Sequence, residues 1–437
     1  MILSKSTIRS FRSIFLIYIT GIFLFAGLYM LPVSNTGHLS LIDALFVSTS
    51  SLSVTGLTTV NISVEMTRWG QALMMLEMQL GGIGILVLIS YLFVMMGKRL
   101  SMTSLILISR DQNQSNLKTI QSLSISVLLI ALAIEAMASL IMYGQIRPQF
   151  DSAGDALFVT IFHAIASFTN AGFDLFDGGF PAFKHSPIML YTTSATIFLG
   201  SLGYPTIMEY IFSTRKRKSL FTKINIRMHL ILWAVGTVVY LAIEYGKAFN
   251  GLNLTDKLSN AIFLSATTRN AGLATLDISG LTITTILIMT FLMFIGGASS
   301  STGGGIRLTT FAVLIAKMIS VARSQEHTVI YKKTISQETI NKSFLILISF
   351  LILIFSSTVA LSIFETKPIE QIVFEVVSAL TNTGLSMGIT AQLTIYSKIV
   401  LMCLMVIGRI GIFTLIYFVF RVEKSKMKYL KEDLAVG

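Results

Sequence analysis

Four short phrases in this chain have the residue types and spacing to hold a cation stripped of its water. They are Val54-Thr55-Gly56-Leu57, Asn170-Ala171-Gly172-Phe173, Asn270-Ala271-Gly272-Leu273 and Asn382-Thr383-Gly384-Leu385. Their glycines are separated by 116, 100 and 112 residues. Backbone carbonyls replace ion hydration without adding fixed negative charge, and glycine permits the dihedral angles that turn successive carbonyls toward one axis. Gly56, Gly172, Gly272 and Gly384 are the expected ring, with the carbonyls of Thr55, Ala171, Ala271 and Thr383 extending it. Val54, Asn170, Asn270 and Asn382 complete the candidate filter residues. None of the four phrases contains Asp or Glu, which points to a monovalent ion; Asp174, just after the second, is read as a mouth residue that concentrates cations.

Positioning these phrases needs a particular kind of element. The segment before each glycine has roughly 12 to 15 residues, too short at 1.5 Å per residue to cross a bilayer core of about 30 Å. A short helix that enters, stops at a glycine and returns leaves carbonyls unpaired at membrane depth. Such backbone persists only in protein or beside a water-filled cavity. The helix also aims its negative end at the axis, which favours a cation there.

Composition agrees with a membrane chain. Of 437 residues 53% are hydrophobic and 12% charged, with mean hydropathy +0.77, so the bilayer is part of the solvent. Residues 14 to 31, 125 to 142, 281 to 295 and 345 to 363 are expected spans. The first follows Lys5, Arg9 and Arg12, but its apolar run is too long for a signal peptide and no small-residue cleavage site follows. A net charge of +12 suggests nucleic acid until the charges are located. Of the 33 Lys and Arg, 23 fall before the first span, at Lys98 to Lys118, Arg215 to Arg227 and Lys317 to Lys342, and from Arg421 onward. That is the positive-inside bias, with both termini cytoplasmic, and it leaves no basic groove for DNA. The lone Cys403 excludes an internal disulfide. No histidine pair, thiol-histidine arrangement or catalytic carboxylate pair stands out, so an intramembrane enzyme is disfavoured.

Internal repetition sets the organisation. An all-α membrane protein of four span, re-entrant pore hairpin, span repeats is expected, giving eight transmembrane helices around a pseudo-four-fold central pore. The repeats cover residues 10–99, 118–215, 226–325 and 340–421, with cytoplasmic termini at 1–9 and 422–437. Phe46, Phe162 and Phe374 stand ten residues before their filter glycines, with Ile262 in the third repeat. Five residues before the glycine stands Ser51, Ser167, Thr267 or Ala379. The second span of each repeat carries its own glycines, beginning at Gly81, Gly200, Gly296 and Gly408, which lie 25, 28, 24 and 24 residues past the filter glycine. Close helix packing explains these span glycines as well as a pore role does.

The third repeat differs. Gly296-Gly297-Ala298-Ser299-Ser300-Ser301-Thr302-Gly303-Gly304-Gly305 is the least helical stretch of an apolar span, since each glycine costs about 1 kcal/mol in a helix relative to alanine. Only this repeat is expected to break its second span, by a polar loop inside the membrane. An external loop and a phosphate-binding loop are the competing readings, and the lysine of the latter is absent. Arg409, in the fourth repeat, occupies the equivalent depth. Buried there it needs water, carboxylate or carbonyl partners, and it is expected to face the pore and contact the loop as an electrostatic barrier. Arg307 anchors the restart of the half-helix. Arg269, where the other repeats have Ser53, Thr169 and Thr381, is expected to pair with a pore-helix acid such as Glu375. Glu77, Glu135, Glu209 and His163 are candidates for buried polar bonds to unnamed partners.

With these four units in view, the chain resembles the Trk/Ktr/HKT superfamily of potassium transporters over nearly its whole length. It is most similar to the bacterial Ktr-type membrane subunit (KtrB-like), since its eight spans begin without an extra N-terminal pair. The resemblance implies potassium uptake across a bacterial plasma membrane, with potassium held at Thr55, Gly56, Gly172, Gly272 and Gly384. It further implies an intramembrane gate at residues 296–305, a homodimer, and a separate cytoplasmic ring of nucleotide-binding regulatory subunits (KtrA-like). No covalent cofactor is expected; sodium is a candidate activator, nucleotide belongs to the partner alone, and membrane lipid is a further contact. In that family glycine at all four positions accompanies potassium, and serine at the first accompanies sodium preference in some plant members. A coupled secondary transporter of another monovalent cation, sodium-coupled or sodium-selective, is the alternative function, because broken helices also mark such sites.

Overall fold

A computed structural model describes residues 5–37, 39–84, 120–212 and 218–412. The expected C-terminal tail, the basic link at Lys98 to Lys118 and the ends of the first, second and fourth repeats lie wholly or partly outside these residues. Elements are numbered here in chain order. Among the described residues the fold is almost entirely helical, with one two-stranded hairpin.

Four long helices are α1 (Lys5–Tyr29), α5 (Ile120–Ile146), α9 (Leu220–Glu244) and α13 (Gln337–Phe364). Each precedes a shorter one that ends just before a glycine phrase: α2 (Leu41–Ser53), α6 (Ala153–Thr169), α10 (Leu254–Thr267) and α14 (Ile369–Leu380). The remaining elements are α3 (Ile62–Glu65), α4 (Arg68–Ile83), α7 (Pro187–Ser201), α8 (Tyr204–Phe212), α11 (Ile283–Phe294), α12 (Leu308–Ala322) and α15 (Ile395–Ile410). Among the described residues three helices are long and apolar enough to cross a membrane, in Ser126–Gln149, Leu220–Glu244 and Gln337–Phe364.

The sequence explains the starts of the short helices. Ser40, Ser152 and Asn253 cap α2, α6 and α10 by accepting from the amides of Asp43, Asp155 and Asp256, and each of these acids sits in the positive first turn. Pro368 begins α14 instead. The short helices contain 13, 17, 14 and 12 residues, so the second is longer than its sequence indicated. Phe46, Phe162 and Phe374 are fully buried; in the third short helix Phe263, beside Ile262, takes that place.

The basic segment between α12 and α13 folds into a hairpin. Strand β1 (Val329–Ile330) pairs antiparallel with β2 (Lys333–Thr334). Tyr331 and Lys332 turn it with φ of 49° and 62°, the left-handed pair that matches strand twist in a two-residue hairpin.

Candidate functional site

The four phrases meet. A Cβ built on Gly56 would lie 2.6 Å from the Ala171 carbonyl oxygen, one on Gly172 2.7 Å from that of Ala271, and one on Gly272 2.8 Å from that of Thr383. One on Gly384 would lie 1.9 Å from the Thr55 oxygen, which closes the circle. Each glycine also has positive φ, 96°, 72°, 70° and 86° in chain order, so a side chain would be both strained and obstructed. Four glycines and the four carbonyls before them therefore form one ring, each against its neighbour.

Three of the four helix ends reach this ring in the same way. Val54, Asn170 and Asn382 adopt φ of 58°, 59° and 51°. The next amide then bonds five residues back: Thr55 N to Ser50 O and Ala171 N to Ala166 O at 2.8 Å, and Thr383 N to Ser378 O at 2.9 Å. This is a Schellman-type ending without glycine at the left-handed position. The third differs, because Thr268 stays helical and Ala271 N bonds four back, to Thr267 O, at 3.0 Å.

The span glycines are explained by contact with these endings. A Cβ on Gly81, Gly200 or Gly408 would fall 2.2, 1.9 or 2.1 Å from the carbonyl of Leu52, Phe168 or Leu380. The same glycines make room for the side chains of Val54, Asn170 and Asn382. Their phase along the sequence is thus steric: α4, α7 and α15 approach the short helices at backbone distance.

Residues 296–305 leave the helical path and return. Gly296 N donates to Ile306 O at 3.0 Å, and Ile306 N donates to Phe294 O at 3.1 Å, which pins the loop's two ends together. Apart from the half-buried Ser299 the loop is buried, unlike an external loop. Consecutive loop residues meet three of the filter phrases. Asn170 Nδ2 donates to Thr302 Oγ1. A Cβ on Gly303 would lie 2.5 to 2.8 Å from the Asn270 amide, and one on Gly304 2.5 Å from Asn382 Oδ1. The Oδ1 atoms of all three asparagines have no protein partner among the described residues.

Breaking the second span is not confined to the third repeat. Helices α7 and α8 are separated at Gly203, with φ 80°, and α4 and α15 end at Gly84 and Gly411, with φ 102° and 93°. Each of these glycines follows the contact glycines of its span closely, so the interruption recurs; the third repeat differs in inserting a long loop. That loop docks on the α7–α8 break, where Ala298 N donates to Ser201 O at 3.0 Å and Tyr204 N to Ser300 O at 3.1 Å.

Arg409 projects from α15 and donates to the carbonyl oxygens of Thr302, Gly81 and Gly82. It thereby joins the loop to the end of α4. Arg307 donates to Gly303 O and Ala298 O, holding the loop from inside. Arg269 does not pair with Glu375. It lies buried against His229, donating to its carbonyl at 2.9 Å and meeting its ring, whereas Glu375 accepts from Ser386 and Thr390. Arg269 points from the third helix end toward α9, where no acid was needed once a backbone carbonyl was available.

The other acids also find partners. Glu77 accepts from Tyr29 and Ser48, tying α1, α2 and α4 together. Glu135 accepts from Gln79, and His163 meets Thr193 at 3.3 Å and stacks on Phe180. Glu209 is half-buried and not in the core; it accepts from Ser219 and Thr222 at the start of α9. Asp174 caps its own loop, accepting from Phe176 N at 3.3 Å. Ion pairs missed in the sequence link neighbouring segments on the hairpin side: Lys398–Asp43 at 2.9 Å, Arg68–Asp155 at 2.7 Å and His185–Asp256 at 2.9 Å. The acids involved are also the first-turn acids of the short helices, which was the available signal.

Residues 5–429 match the TrkH family, described as cation transport proteins. The Ktr system potassium uptake protein D of Bacillus subtilis is 37% identical, over 91% of this chain and 90% of its own length. The potassium/sodium uptake protein NtpJ of Enterococcus hirae is 32% identical over the full length of both. Among solved structures, the potassium transporter TrkH from Vibrio parahaemolyticus superposes with a TM-score of 0.77, at 17% identity, over 94% of this chain and 84% of its own; that likeness concerns the fold. Taken with the ring and the family match, the chain belongs to the TrkH family of membrane cation transport proteins.

Proposed function

We propose that this chain is the ion-translocating membrane subunit of a Ktr-type potassium uptake system. Its four pore hairpins, within eight spans, form one carbonyl-lined selectivity filter. The observation that carries the reading is the closed ring of four left-handed glycines, each against the carbonyl of the next. Carbonyl oxygens from four backbones replace the hydration shell of a monovalent cation, and four helix ends supply negative potential there. The names of the relatives, potassium uptake proteins of Ktr systems in Bacillus subtilis and Vibrio alginolyticus, support potassium as the ion.

Directly against the filter lies the loop of residues 296–305, which acts as the gate. Its backbone is held by Arg409 from one side and by Arg307 from within, so ion passage requires these carbonyl contacts to rearrange. The guanidinium of Arg409 adds a positive barrier to a cation. A cytoplasmic nucleotide-binding ring biases this gate from the side of the basic links, and the membrane subunit works as a homodimer with both termini in the cytoplasm.

A second reading, sodium-coupled or sodium-permeable uptake, is favoured by one relative's name, potassium/sodium uptake protein. Complementation separates the readings. Expression with its regulator in a strain lacking potassium uptake restores growth at low potassium, and sodium-free medium distinguishes coupled from uncoupled transport. Absence of rescue by chain present in the membrane contradicts the proposal.

A further inference from the structure

A cleft of about 550 Å³ opens where α8, the start of α9 and the β1–β2 hairpin meet, far along the chain from any glycine phrase. Lys218, Lys223 and Arg227 supply three cations to its wall, while Ile226 and Leu230 supply an apolar one. Tyr331, from the hairpin turn, closes the polar side and accepts from Arg227 Nη1 at 3.1 Å. Lys218 lies over the Tyr210 ring at 4.9 Å and donates to Glu209 O. The acid nearest this arrangement, the Glu209 carboxylate, is occupied by Ser219 and Thr222.

The arrangement along α9 identifies the ligand class. Lys223, Arg227 and Leu230 are spaced i, i+4, i+7 and so share one helix face. Over those seven residues, a rise of about 10 Å, the face passes from exposed cations to Leu230, which is 47% exposed on a helix long and apolar enough to cross a membrane. A polar anion followed within 10 Å by hydrocarbon is the profile of a phospholipid. A soluble anion leaves the apolar wall uncovered, and a cytoplasmic protein reaches only the rim. We propose that this cleft binds the phosphate headgroup of an anionic phospholipid, with an acyl chain along Ile226 and Leu230.

The test uses the two tryptophans of the chain, Trp69 and Trp233. Trp233 lies one turn beyond Leu230 on α9, so in a Trp69→Phe background it reports on lipid at the cleft. The protein is reconstituted in vesicles containing either brominated phosphatidylglycerol or brominated phosphatidylcholine, and quenching of Trp233 gives the relative affinity. Stronger quenching by phosphatidylglycerol is expected. Lys223→Gln with Arg227→Gln should reduce that preference by about five-fold per cation removed, while Lys223→Arg with Arg227→Lys should keep most of it. Millimolar inorganic phosphate should leave the preference in place. Equal quenching by the two lipids, or a preference unaffected by removing both cations, overturns the proposal, as does loss of the preference on adding free phosphate. Loss of regulator binding with an unchanged lipid preference assigns the face to a protein and overturns it equally. If the double glutamine variant does not reconstitute, Arg227→Gln alone supplies the same comparison. None of these outcomes depends on the filter assignment.

Discussion

Asn382 Nδ2 donates to Thr55 Oγ1 across 2.9 Å, joining the last glycine phrase to the first. The same amide group donates to Met405 O at 2.8 Å, so one side chain fixes the fourth phrase to both its own second helix and its neighbour in the ring. Asn170 at the corresponding position donates to Ser201 and Thr302. The ring is closed by backbone contact and fastened from behind by amides.

That fastening predicts coupling between Asn382 and Thr55. Asn382→Ala and Thr55→Val should each lower potassium uptake and weaken discrimination against sodium, as buried hydrogen-bond losses of about 1–3 kcal/mol distort the ring. Their combination should cost less than the two single effects together, because either change removes the same bond. Rubidium and sodium flux into proteoliposomes measures both quantities; strictly additive effects contradict the link.

Gly408 and Gly144 should respond oppositely to alanine. A Cβ on Gly408 meets the Leu380 carbonyl at 2.1 Å, whereas one on Gly144 in α5 meets nothing within 4 Å. Gly408→Ala should lower stability by about 1–3 kcal/mol through overpacking. Gly144→Ala should leave stability unchanged or raise it by up to about 1 kcal/mol through helix propensity. Thermal unfolding of the purified protein in one detergent distinguishes them.

The loop and the third phrase form a suppressor pair. Gly303→Ala places its methyl 2.5 to 2.8 Å from the Asn270 amide and should reduce uptake strongly. Asn270→Gly in the same chain should recover part of that loss by vacating the space. Failure of the second change to restore any uptake, with expression equal, separates the loop from Asn270.

Arg409→Ala removes donors from Thr302, Gly81 and Gly82 at once. Uptake in the absence of the regulatory partner should rise several-fold, and the response to that partner should shrink. Unchanged flux and unchanged regulation remove Arg409 from the gate.

Much of this was legible because it is steric. Glycines placed where a Cβ meets a carbonyl leave a trace in the sequence, which is why Gly56, Gly172, Gly272 and Gly384, and the span glycines behind them, stood out in phase. Positions decided by partners distant in the chain were not legible. Arg269 takes the backbone carbonyl of His229, 40 residues away, and no local pattern announces a carbonyl. The break at Gly203 was hidden because one glycine ahead of Tyr204-Pro205 reads equally well as a continuing span. Asn270 matches Asn170 and Asn382 in type but not in backbone conformation, because Thr268 extends its helix by hydrogen bonding that the phrase itself does not encode.

The ring of four glycines as one selective path is tested most directly by paired rubidium and sodium flux in proteoliposomes carrying wild-type chain, Gly56→Ser or Gly272→Ser. Serine at either position places its Cβ within 2.8 Å of the next segment's carbonyl, at Ala171 or Thr383, and adds strain at positive φ. Wild type should favour rubidium clearly, and both variants should lose rubidium flux and that preference to a similar degree although they lie in different phrases. Rubidium and sodium fluxes unchanged in both variants contradict the account.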